Sequence, residues 1–471
     1  ARSATNGLAV AVALAVVLAA CGGGEASPAA SVTASGTPSA GSPTPAAPDD
    51  PLAFSCDPVD YQGEPATLSF PWWVGGGDSP SDALFTDALE CFKTKYAGSI
   101  EVEVEYVPSG EDYQEKMRTD FAASGKVPVV FALKRVGPDL QQILLEQNAL
   151  VDLMPYFEAS PEWQEISISE STALNTVDGK LVAAPDTFVT PVGLFYNTEL
   201  MAEAGVEAIP ETWDEWFAAL DKFKAAGIPA VALHTGDTGW SAMLLYEALM
   251  ARDPAGVDFL TQKFPSDFNQ PFIVDANTDI ARIFQFTTDD AVGAAYDMAA
   301  NNFLSGKAAI MPNGPWMIGQ FRDPAQSSEG FGDKIASGLY PGNVAIDDAG
   351  LQLGDFAVGA GYSQAETDAA AEFAKWMSSA EFARQRVIRI GSIAPNLELP
   401  PEDLASLDPL ASDLIQLIQD NGAPVLPNYQ GQWNSIIQNE TIVQGLPQLA
   451  LGNLTAEQFA QQLTDAAQQN P

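Results

Sequence analysis

Three consecutive pieces of the chain decide its fold: Ala66-Thr67-Leu68-Ser69-Phe70, the stretch from Ser81 to Tyr96, and Ile100-Glu101-Val102-Glu103-Val104-Glu105-Tyr106. The outer two alternate with the period of two that a half-buried strand requires, and the stretch between them reads as a helix. This is a β-α-β opening, and the alternation of strand and helix signals continues beyond it. Pro128-Val129-Val130-Phe131-Ala132-Leu133 is a continuous apolar run of the kind buried on both faces of a parallel sheet. Pro210-Glu211-Thr212-Trp213-Asp214-Glu215 sets Thr212 and Glu215 at capping-box spacing, and Gly227-Ile228-Pro229 ends the helix they start. The expected class is α/β, and roughly 420 residues of it exceed what a single core supports, so two lobes are expected. No internal repeat stands out.

The 471 residues include 62 acidic and 21 basic side chains, one histidine and three cysteines. A hydrophobic fraction of 46% with 9% aromatics supplies real cores, so this is not a disordered acidic tail. The formal charge of -41 repels phosphate backbones and anionic headgroups, which excludes nucleic acid as a partner. With His234 as the one imidazole, a multi-histidine metal site cannot be assembled, and a serine or cysteine hydrolase would have to use that residue. No glycine precedes a Gly-Lys pair at phosphate-loop spacing. Asp275-x-Asn277-x-Asp279 is followed by Ile280, where a calcium loop needs glycine. No cofactor or metal is expected.

The N-terminal part reads as an address. Leu8 to Ala20 is apolar and uncharged, with Arg2 before it, and at ~13 residues it suits a signal-peptide core rather than a membrane span. Its close, Leu18-Ala19-Ala20-Cys21-Gly22, resembles a bacterial lipobox, which implies cleavage before Cys21 and a lipid on its sulfur. Residues 1–21 are thus expected to be a leader. Residues 22–51, nearly all Gly, Ala, Ser, Thr and Pro, are expected to form a disordered tether. The expected location is extracytoplasmic, touching the membrane through lipid alone. In that oxidising setting Cys56 and Cys91 are expected to form one disulfide, two buried thiols being the alternative.

Eight of the nine tryptophans divide into two groups. Trp213, Trp216 and Trp376 lie in helical patterns and suit packing. Trp72-Trp73 runs into Val74-Gly75-Gly76-Gly77-Asp78, Trp240 follows Gly236-Asp237-Thr238-Gly239, Trp316 follows Asn313-Gly314-Pro315, and Trp433 follows Gly431-Gln432. Glycine-flanked indoles are poor core choices. Their weakly negative faces suit the axial C–H groups of a pyranose, whose hydroxyls then need Asp, Asn, Gln or Lys partners. Lys134-Arg135 follows the apolar run and should emerge at its carboxyl end, where α/β sheets place ligands. On an extended segment the two would point to opposite sides; the alternative is that both neutralise nearby carboxylates.

Leu194-Phe195-Tyr196-Asn197-Thr198-Glu199-Leu200 through Pro210-Glu211-Thr212-Trp213-Asp214-Glu215, and Gly306-Lys307-Ala308-Ala309-Ile310 through Asn313-Gly314-Pro315-Trp316, resemble the sugar-binding proteins of ABC importers. The resemblance covers nearly everything from about Ala66 onward. Trp72-Trp73-x-x-Gly76-Gly77-Asp78, Gly239-Trp240, Gly354-Asp355-Phe356 and Gly391-Ser392-Ile393 look like the glucose- and mannose-type binders, whereas Asn313-Gly314-Pro315-Trp316 looks closer to maltodextrin binders.

The resemblance implies a two-lobed clamp with crossover hinge segments: 52–187 and about 350–392 forming lobe I, 188–349 and about 393–471 forming lobe II. It also implies a monomer that encloses a mono- or short oligosaccharide, hands it to permease subunits and has no catalytic residues. The implied contacts are Trp72, Trp73, Asp78, Trp240, Trp316 and Asp355, with Trp433 from the C-terminal region. Two departures stand out. Lys134-Arg135 occupies the place of a histidine or neutral polar residue, which makes Lys134 the expected contact and leaves Arg135 to pair with an acid. Ile390, with Arg389 just upstream, replaces a lysine. Closure is expected around Pro185-Asp186-Thr187. Two other readings are an anionic solute on the same fold and an exported glycosidase; for the latter, acid pairs such as Asp289-Asp290 and Asp347-Asp348 read more simply as solvated surface.

Overall fold

The computed structural model describes residues 53–73, 80–107, 110–348 and 353–469. The expected leader, Cys21 and the expected tether lie outside the described residues, among which no helix is long and apolar enough to cross a membrane.

Strand Ala66–Trp73 pairs in parallel with Ile100–Val107, from Ala66 opposite Ile100 to Trp73 opposite Val107. Glu101, Glu103 and Glu105 face solvent while Ile100 and Val102 face the core, as the alternation requires. Helix Pro80–Lys95 makes the crossover. It buries Leu84, Phe85, Ala88, Leu89 and Phe92, one helical stripe whose larger members are each worth about 1.5–3 kcal/mol of burial.

The apolar run is as buried as expected, but its strand, Val130–Ala132, pairs antiparallel with Phe356–Val358. The partner belongs to the chain returning from the other lobe and runs opposite to Val130–Ala132. Immediately after it, Leu133–Arg135 forms a 3-10 turn, so Lys134 and Arg135 do not alternate as on an extended segment.

In the second lobe, Pro191–Asn197 is buried at every position. It pairs antiparallel with Ile310–Asn313, Ile335–Gly338 and Ala345–Asp347, and Val425–Pro427 adds a parallel edge. A side chain at Gly193 would run into the Gly338 carbonyl, so the close approach of these strands needs glycine. Thr212 and Glu215 close a capping box on helix Trp213–Ala226, and Gly227 ends it in the left-handed conformation.

Apolar clusters separate the two lobes. One set draws on 68–184 and 353–390, the other on 192–346 and 410–467. Between them, Val189 and Ile393 exchange backbone hydrogen bonds of 2.8 and 2.7 Å, tying two crossover segments together. Cys56 and Cys91 are joined, with Cα atoms 5.1 Å apart, on the first lobe. Asp275, Asn277 and Asp279 lie in helix Pro271–Ile283, where Asp279 pairs with Arg252 at 2.7 Å.

Candidate functional site

A cleft of two chambers opens between the lobes. The smaller, about 250 Å³, is bordered by Trp72, Lys134, Asp186, Trp316, Asp355 and Arg386. The larger, about 470 Å³, is bordered by Gln114, Asp237, Gln430, Ser435, Gln438 and Asn439. Lys134, Arg135 and Asp348 belong to both.

The 3-10 turn delivers the cations. The Leu133 N–H donates to the Asp355 carbonyl at 2.8 Å, which locks the turn beside the returning strand. Lys134 Nζ then stands 3.8 Å from Asp186 Oδ1, and Arg135 Nε 3.9 Å from Asp355 Oδ1. Asp186 is held by Ser171, whose hydroxyl donates to Oδ2 at 3.2 Å and accepts from the Asp186 N–H at 2.8 Å. Burial alone would lower the Lys134 pKa, but the carboxylates of Asp186, Asp355 and Asp347 outweigh it and raise the value. Burial raises Asp186, opposed by Lys134. Burial brings Arg386 down to about 10, against the pull of Asp348 and Asp355, so it keeps its charge at neutral pH.

Aromatic rings form the apolar walls. Trp72 stacks on Phe85 with centroids 4.0 Å apart and planes 8° apart. Trp316 folds back over Gly314, where a Cβ would collide with its ring, and packs against the apolar clusters of both lobes. Trp240 opens helix Trp240–Met250 and lies 5.9 Å from Trp316 and 6.2 Å from Tyr296. It backs Trp316 and borders neither chamber.

A family model for bacterial extracellular solute-binding proteins matches residues 76–383. The chain belongs to this family. Among relatives of the solute-binding family, a probable sugar-binding periplasmic protein of Brucella melitensis is 26% identical over 278 residues, covering 58% of this chain and 61% of its own. A multiple sugar-binding protein of Streptococcus mutans is 26% identical over 215 residues, covering 43% and 49%. The chain thus spans about three fifths or less of these curated relatives. Among solved structures, a chitin oligosaccharide binding protein superposes with a TM-score of 0.70 at 21% identity, covering 86% of this chain and 99% of that one. A Streptococcus pneumoniae solute-binding protein in complex with the blood group A-trisaccharide gives 0.67 at 20%, covering 85% and 99%. These likenesses establish the two-lobed α/β fold.

Within this solute-binding fold the sequence-derived residues part ways. Trp72, Lys134, Trp316 and Asp355 meet at the cleft. Trp73 ends its strand opposite Val107, its side chain outside the described atoms, and Asp78 lies outside the described residues. Trp433 does not reach the cleft. It is fully buried, 4.9 Å from Phe268 and 5.5 Å from Tyr429, because the turn Tyr429–Gly431 swings it into the second lobe's core. Asp347 and Asp348 are not solvated surface: Asp347 is buried and accepts from the Thr190 N–H at 3.2 Å, and Asp348 borders both chambers.

Sequence reading passed over Thr187, Thr190 and Arg386 as cleft residues. Arg389, which it singled out, pairs with Asp87 at 2.8 Å. Arg386 sits one helical turn before Ile390 on helix Ala380–Ile390, on the same face, and helical spacing was the signal that could have found it.

Proposed function

We propose that this protein captures a neutral mono- or short oligosaccharide between its lobes and delivers it to the permease of an ABC importer, acting without catalysis. The observation that carries this is the charge pattern of the cleft. Lys134 and Arg135 each have a carboxylate within 4 Å, and Arg386 feels Asp348, Asp355 and Asp347. A hydroxyl can donate to those carboxylates and accept from those cations, whereas an anion would meet cations already matched. Trp72 and Trp316 supply apolar walls for the C–H groups of a ring. Relatives named as sugar-binding proteins support the same reading. The absence of catalysis is supported by His234, which is fully buried, bonded to Ser241 Oγ at 2.7 Å, and borders neither chamber. The lipobox-like close at Cys21 and the Gly-, Ala-, Ser-, Thr- and Pro-rich sequence behind it support a lipid-anchored, extracytoplasmic protein.

A thermal-shift screen with glucose, mannose, maltose, maltotriose and glucuronate tests this. A sugar at 100 times its Kd adds about 2.7 kcal/mol of stability. A shift with a neutral sugar and none with glucuronate is expected; a shift with glucuronate alone would replace the neutral ligand by an anionic one.

A further inference from the structure

Two polar groups at the hinge end of the smaller chamber have no hydrogen-bond partner. Arg386 Nε and Thr187 Oγ1 are both enclosed and unbonded, and both residues border the chamber. Thr187 keeps 1% of its surface exposed. An enclosed, unsatisfied group of this kind is unfavourable, and a solute oxygen would relieve it.

The other end of the same guanidinium is engaged. Arg386 Nη2 donates to Thr190 Oγ1 at 3.0 Å, and the guanidinium lies 4.5 Å from the centre of the Phe188 ring. Thr190 Oγ1 also shares a hydrogen bond of 2.8 Å with Ser392 Oγ, on the second crossover segment. The Thr190 N–H donates to Asp347 and its carbonyl accepts from the Asp348 N–H, so the third passage between the lobes meets the same residue. Nε and Nη2 are parallel donors on one edge of the fork.

Resting on the reading of this cleft as the sugar site, we propose that Arg386 couples sugar to hinge: Nε donates to a sugar oxygen beside the Thr187 hydroxyl while Nη2 holds Thr190. The sugar then completes the bonding of Arg386 only in the hinge geometry that keeps the Thr190 contact. That is the differential affinity a ligand needs to favour one conformation. Lysine keeps the charge but cannot present two parallel donors.

The experiment measures calorimetric affinity for glucose, mannose, maltose and maltotriose in wild type, Arg386→Lys, Thr187→Val and Thr190→Val, with spin labels at Thr119 and Glu440, exposed residues of opposite lobes, reporting closure. Arg386→Lys is expected to weaken binding at least tenfold and Thr187→Val at least fivefold. Thr190→Val, which leaves Nε free to bind, is expected to lose less affinity yet stop short of the wild-type closed distance. Affinity within twofold of wild type in Arg386→Lys or in Thr187→Val overturns the coupling while leaving the sugar site standing; if Arg386→Lys fails to fold, Thr187→Val decides alone. Wild type that binds none of the four sugars overturns both.

Discussion

Lys134 Nζ faces Asp186 Oδ1 across 3.8 Å, with 5% and 16% of the two side chains exposed. The gap is longer than a direct hydrogen bond, so each group keeps capacity for a hydroxyl placed beside it. Removing one partner takes the nearest opposite charge from the other, which stays enclosed. Lys134→Met is therefore expected to lower unfolding free energy by about 3 kcal/mol, and the double variant Lys134→Met/Asp186→Asn to recover most of it while still binding sugar poorly. Arg135, 44% exposed beside Asp355, behaves differently: Arg135→Met should cost under about 1 kcal/mol and change affinity little. Urea unfolding and calorimetry on the same samples check both. Equal effects at the two positions would contradict their separate roles.

Trp316 and Trp433 should separate affinity from stability. Trp316 borders the chamber, and Trp316→Ala is expected to weaken sugar binding more than tenfold, about 1.4 kcal/mol. Trp433 lies in the core, and Trp433→Ala is expected to cost about 3–5 kcal/mol of stability. Denaturation curves and binding isotherms for the two variants should give opposite rankings; the same ranking in both would mean that the rings share one role.

The Cys56–Cys91 link closes a loop of sequence separation 35. By loop-closure entropy it stabilises the folded state by up to about 4 kcal/mol. Cys56→Ala/Cys91→Ala is expected to lower the unfolding midpoint while leaving sugar affinity within twofold, since neither residue borders the cleft. An unchanged midpoint would show that the reduced chain already holds this segment in place.

His234 gives the stability a pH signature. Burial brings its pKa down from 6.5 to about 4, against Asp237. The unfolded chain therefore takes up a proton between pH 6.5 and 4 that the folded one refuses. This contribution is fully present above pH 6.5 and is lost as the pH falls, at up to about 1.4 kcal/mol per unit, levelling off below 4. Urea unfolding at pH 7, 6 and 5 should show the decline, and His234→Gln should flatten it. An unchanged slope in that variant would assign the decline to carboxylates instead.

The β-α-β opening, the Thr212 capping box and the Gly227 stop were legible because each depends on neighbours within a few residues. The direction of Val130–Ala132 was not, since its partner Phe356–Val358 arrives from more than two hundred residues away and buried runs look alike in either orientation. Glycine ahead of an indole singled out Trp316, which borders the cleft, but said nothing about which way the chain turns, and after Gly431 it turns inward, which buries Trp433. Trp240 shared the motif and ended up backing Trp316. Arg386 reaches the cleft through its place on a helix face together with two distant crossover segments, a conjunction set by tertiary structure.

Enclosure of a neutral sugar by the two lobes requires that they close on it. Arg118 already meets Ser435 across them at 3.4 Å in this structure, so a closed state is sterically available. The most direct measurement is the distance between spin labels at Thr119 and Glu440 as the best-binding neutral sugar is titrated in. A longer distance is expected without sugar and a single shorter one at saturation, with a midpoint equal to the calorimetric Kd. Saturating sugar that leaves the distance distribution unchanged would contradict enclosure.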